Sequence, residues 1–171
     1  LNDAKLGVVR TRTCADNYEN VLIIQLHDGV PEAVRSHFAT ALNLAAYSWF
    51  FYPFNVTAQF MGLVSVEFAL RLRYPEKHNM SFKGLVKRAA SEGLIKDEGF
   101  SNYRAPQVDQ FPPELQVLLE QQPKNSYVES LIESMPFLRN DLAHGASTLH
   151  MNGASSVLLC ADFINQLFYQ E

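Results

Sequence analysis

Arg139, Asn140 and His144 lie within Phe137-Leu-Arg139-Asn140-Asp-Leu-Ala-His144-Gly145, and together they are residue types suited to proton transfer at a phosphate. An imidazole titrates near neutrality and can both take and give a proton. A guanidinium holds phosphate oxygens in a planar fork. Asn140 would orient the ring or a phosphate oxygen rather than react. On a helix Asn140 and His144 share a face one turn apart. Arg139 and His144 stand about 140° apart around the axis and about 7.5 Å along it. A long arginine side chain spans that gap and can meet an anion beside the imidazole. A structural reading stands next to this one: a histidine before Gly145 makes a helix C-cap, and Arg139 pairs with an acid such as Glu133 or Glu67.

These residues need a scaffold, and the hydrophobic pattern predicts helices. Pro31 suits a first helical turn, and the run to about Phe51 puts Val34, Phe38, Ala41, Leu42, Ala45 and Trp49 on one face. Pro53 ends it. Asn55 is the expected cap of a helix to about Tyr74, apolar nearly all round and so expected at the centre of a bundle. Its marks are Gln59, Glu67 and Arg71. Glu67 and Arg71 form an (i, i+4) pair, and a carboxylate on so apolar a helix needs a partner. Arg71 is the local candidate and Arg139 the functional one. Ser81 caps a shorter helix with Leu85, Val86, Ala89 and Ala90 inward, ending near Gly93.

Residues 97–113 read as a long loop and about 113–121 as a short helix. From Tyr127 a helix runs to His144, with Pro136 either kinking it or marking a fresh start capped by Ser134, and Gly145 stops it. The last helix carries Val157, Ala161, Ile164 and Phe168 inward and Ser155, Asp162 and Gln166 on its wet side. The expected fold is all-α, an antiparallel bundle of about five main helices over residues 31–171. Residues 1–30 form an N-terminal segment of unclear structure, in which Val21–Leu26 fits a strand or a helical turn equally well.

Composition bounds the rest. The 171 residues suit one domain, and 47% hydrophobic with 19% charged is globular. Eight glycines and eight prolines are too few for a turn-rich sandwich or barrel. Cys14 and Cys160 match no metal spacing and read as ordinary thiols. The other histidines, His27, His37, His78 and His150, show no metal-ligand spacing either, although His150 in the following loop could approach His144. No metal and no cofactor are implied. Asn55-Val-Thr57 and Asn79-Met-Ser81 match a glycosylation pattern that chance often produces. No secretory leader is evident, and Phe38–Phe54 is broken by Asn43, Ser48 and Pro53, so neither membrane nor export is expected and a cytoplasmic home is the default. The net charge of −4 argues against wholesale electrostatic binding of nucleic acid. Residues 71–104 nevertheless hold eight basic and four acidic residues, a local excess of +4. Arg71, Lys83, Lys87 and Arg88 are the candidate RNA-binding residues there.

Arg-Asn-Asp-Leu-Ala-His resembles the signature of the HEPN superfamily: Arg, four to six residues, His, with a polar residue directly after the Arg. Val66-Glu67-Phe-Ala-Leu-Arg71 is similar to that family's apolar second helix with its embedded acid and base. Phe82-Lys-Gly-Leu-Val-Lys-Arg-Ala-Ala-Ser-Glu-Gly-Leu-Ile95 resembles the segment many members carry next. The resemblance spans about residues 32–170. It implies a helical bundle and a metal-independent endoribonuclease, of a kind found in toxin–antitoxin or phage-defence systems. Arg139, His144 and Asn140 would be catalytic, Glu67 supporting and RNA the substrate, with a nucleotidyltransferase-type antitoxin a conceivable partner. One chain offers a single motif histidine, so two-sided acid–base work calls for a two-fold homodimer. The alternative is a non-catalytic module that binds RNA, a nucleotide or a partner protein.

Overall fold

The computed structural model describes residues 2–3, 8–9, 11, 13–77, 79–103, 126–145 and 153–169. The expected helix 113–121, most of the 97–113 loop, His78 and His150 lie outside them. Among the described residues the fold is all-α: α1 (Cys14–Leu22), α2 (Glu32–Tyr47), α3 (Phe54–Arg73), α4 (Phe82–Ser91), α5 (Ser126–Ala143) and α6 (Gly153–Leu167), with a 3₁₀ turn at Asp97–Gly99. A two-rung antiparallel ribbon pairs Asn2 with Val9 and Asp3 with Val8.

The apolar α3 occupies the centre and packs against α2, α4, α5 and α6. Its buried residues include Ala58, Gly62, Leu63, Val66, Ala69 and Leu70. Around them close Val34 and Phe38 of α2, Leu85 and Val86 of α4, Val128 and Met135 of α5, and Phe163 and Ile164 of α6. Each such side chain contributes roughly 1.5–3 kcal/mol when fully buried, so this shared core fixes the helix order. α3 and α6 approach closely where Gly62 faces Cys160: a Cβ at Gly62 would lie 3.1 Å from the Cys160 sulfur. Gly153 lies against Asn55 in the same way, so α3 and α6 run parallel.

Turn residues 96–101 set the direction of α5. Asp97, buried, accepts from the Tyr127 and Val128 N–H groups at 3.2 and 2.8 Å, supplying the orphan donors of the α5 N-terminus from outside the helix. Lys96 N–H donates to Gln166 Oε1, and Ser101 donates to Asp162 from both its N–H and its hydroxyl. Asp162 and Gln166 are therefore half-buried clamps and not a purely wet face. Burial raises the Asp162 carboxyl, offset in part by the two Ser101 bonds. The start of α5 thus lies at the C-terminal end of α6, and α5 runs antiparallel to both α6 and α3, unbroken through Pro136.

Three boundaries depart from expectation. α2 stops at Tyr47, because the Asn17 amide donates to the Ala45 and Ala46 carbonyls and Ser48 Oγ takes Ala45 O as well. Trp49 consequently leaves the apolar face and is 41% exposed. α3 begins at Phe54, and Asn55 bonds back to Tyr52 O instead of capping. The N-terminal segment holds α1, opened by a capping box between Thr13 and Asp16. Val21, Ile24 and Val30 from the same segment join the core. Gly93 and Gly145 end α4 and α5 with φ of +71° and +86°, the left-handed conformation that glycine adopts at no steric cost.

Candidate functional site

Glu67 is the sole carboxylate on α3, and its side chain is 11% exposed. A charge so placed requires counter-charge. Arg71, one turn on, reaches Oε1 with Nε at 3.2 Å and a terminal nitrogen at 2.6 Å. Arg139 from α5 comes within 2.8 Å of Oε2. One carboxylate thus sits between two guanidiniums from two helices. The Arg139 contact is a charge pairing off the hydrogen-bond direction: Glu67 Oε2 and the buried Arg139 Nε both lack a directed partner. Arg139 also donates to Asn140 Oδ1 at 3.2 Å and keeps a third of its side chain exposed. It is anchored by Glu67 yet open to solvent.

His144 is the C-cap of α5. Its backbone N–H donates to Asn140 O and Asp141 O at 3.0 and 3.2 Å, and the Gly145 N–H donates to Leu142 O. The imidazole is exposed. Among the described histidines it is the one without a side-chain partner. His27 donates from Nε2 to Asn165 O and accepts the Gly29 N–H at Nδ1. Ser65 Oγ donates to Met61 O, which leaves its oxygen to accept from His37 Nδ1 at 2.8 Å. Two histidines are thereby committed to structure, and His144 is available. Leu138 and Leu142, half-buried against the core, hold this end of α5 down, while Phe137 is 68% exposed.

The expected RNA-binding cations are mostly occupied. Arg71 serves Glu67. Lys83 pairs with Glu133 of α5 at 2.5 Å, so Glu133 is not the partner of Arg139. Arg88 bonds Glu92 at 2.7 Å, approaches Glu76 at 3.5 Å and lies 4.8 Å over the Tyr74 ring. The Tyr74 hydroxyl donates to Glu92, and burial together with that neighbour pushes its pKa up to about 12. Lys87 is exposed and joins none of the ion pairs among the described residues. The two thiols stand apart: Cys14 is half-buried on α1, while burial raises Cys160 to about 12 and leaves it inert.

Sequence reasoning missed the external Asp97 cap, which has no local signature, and α1, whose Thr-x-x-Asp pattern was readable. The chain matches no family model, no curated protein and no solved structure. The chemistry of the site therefore has to be read from its own geometry.

Proposed function

We propose that this chain is a HEPN-type, metal-independent endoribonuclease acting as a C2 homodimer. The observation that carries this reading is the placement, toward one end of α5, of an Arg139 anchored by Glu67 and an exposed His144 whose ring no side chain among the described residues engages. His144 of one copy takes the proton of a ribose 2′-hydroxyl, and the resulting oxyanion attacks the adjacent phosphorus. His144 of the second copy gives its proton to the departing 5′-oxygen. The two Arg139 guanidiniums balance the charge that develops on the phosphorane oxygens. The products are a 2′,3′-cyclic phosphate and a 5′-hydroxyl. Asn140, bonded to Arg139, positions that guanidinium.

Incubation with total RNA in chelator tests this. His144→Ala and Arg139→Ala should each lower cutting at least about 100-fold, with unchanged circular dichroism and unchanged dimer mass. RNA left intact by the wild type at every concentration, or cut equally by both variants, overturns the reading. A second reading is a module that binds RNA, a nucleotide or a protein without cutting; the pairing of Lys83, Arg71 and Arg88 with acids favours the protein among these. Binding of RNA without new 5′-hydroxyl ends would establish it.

A further inference from the structure

No Asp, Glu, Lys or Arg occurs between Arg35 and Glu67. The middle of that stretch is the turn joining α2 to α3, where Tyr47, Trp49, Phe50, Phe51 and Tyr52 are 41–72% exposed. Tyr18 of α1, 54% exposed, adjoins them. About half the surface of six aromatic side chains, each about 150–250 Å², is on the order of 600 Å². That is the upper limit for the largest apolar patch of an ordinary monomer and near the ~800 Å² per partner of a stable interface. Aromatic enrichment with charge depletion is also the composition of interface cores.

The same face contains a recess. A cavity of about 510 Å³ opens between α1 and α2, with Cys14, Tyr18, Asn43, Tyr47 and Phe50 in its walls. Trp49, Phe51 and Tyr52 stand exposed outside it. A two-fold interface pairs one patch with itself and must be self-complementary; this face offers a recess and, outside it, exposed aromatic side chains that could enter the recess of a second copy. Its place in the bundle is also suitable. α5 runs toward the end at which α3 starts, so His144 lies on the side of Arg139 nearer this turn.

We infer that the aromatic turn and its recess form the self-association face of this protein, each copy seating an aromatic side chain from outside the recess in the recess of the other. The occupant is a second copy of this chain. This rests on the dimeric reading above for its purpose, but it stands on the shape and composition of the surface.

The experiment is sedimentation of the full chain at micromolar concentration, without RNA, for the wild type, Phe51→Asp and the double variant Phe50→Asp/Phe51→Asp. Both positions are exposed, so the fold should persist by circular dichroism. The expected result is a wild-type dimer whose dissociation constant rises at least about 100-fold in the variants. Cys14 should react slowly with a thiol reagent in the wild type and faster in the variants, whose recess is uncovered. A dimer insensitive to both variants overturns the inference. So does a monomeric wild type, whether it stays free or floats with phosphatidylcholine vesicles. RNA cutting by the wild type separates the two readings: a patch-dependent dimer that never cuts RNA leaves this face standing and removes the nuclease. Cutting by a dimer that ignores the patch does the reverse.

Discussion

Glu67 holds two arginines that would otherwise be thrown together across α3 and α5, and removing it isolates positive charge at a site where the Arg139 Nε is already buried without a partner. Glu67→Ala should therefore lower unfolding stability by about 1–3 kcal/mol, below the cost of breaking a fully buried pair because both arginines reach water. Glu67→Gln, which keeps an acceptor, should cost less. Urea unfolding of the three proteins checks this, and an alanine variant as stable as the wild type would show that solvent already satisfies both guanidiniums. The need for a partner was legible, since a carboxylate within Val66-Glu67-Phe68 cannot stay unpaired, and both candidate arginines were visible. That it takes both at once was not, because the Arg139 contact depends on the register between helices more than sixty residues apart. For His144 the sequence showed the residue type and the helix end but could not show exposure. It lies exposed at the end of α5, where Gly145 takes a positive φ and closes the helix.

At the scale of elements, α5 is held at both ends by groups of different kinds: Asp97 at its start, and Gly145 with Leu138 and Leu142 at its finish. Asp97→Ala leaves two N–H groups without an acceptor and should cost about 1–2 kcal/mol, the upper part of the range for a lost helix cap because the site is buried. Hydrogen exchange should report it first at Tyr127 and Val128. Exchange there as slow as in the wild type would show that the cap is dispensable. Helices α2 to α6 were legible because each carries an apolar stripe or a punctuating proline or glycine. The end of α2 was not, since apolar residues continue through Phe51 and the helix is stopped by the Asn17 amide, a contact made across sequence. The capping box of α1 was written in the sequence, but the helix behind it is largely polar and gives little periodicity.

At the scale of the whole molecule, charge is distributed unevenly: the surface carries many local ion pairs, while the end built by the α2–α3 turn carries no charged residue between Arg35 and Glu67. No helix among the described residues is long and apolar enough to cross a membrane. If association through that end contributes to stability, the urea midpoint of the wild type should rise with protein concentration and that of Phe50→Asp/Phe51→Asp should not; midpoints independent of concentration in both would remove the contribution. Helix α1 forms one wall of the recess on that end. It is nine residues long, too short to persist alone in water, and it is held by the Asn17 amide on the end of α2 and by Val21 in the core. Opening of α1 ahead of the rest would appear as faster amide exchange in residues 14–22 than in α3. Release of α1 would erase the cavity and take the amide donor from the Ala46 carbonyl, while Ser48 Oγ keeps Ala45 O, and a second subunit closing over α1 would quench this breathing. Assembly and the ordering of the N-terminal helix would then be one thermodynamic event, and the affinity between subunits would contain the work of keeping α1 shut.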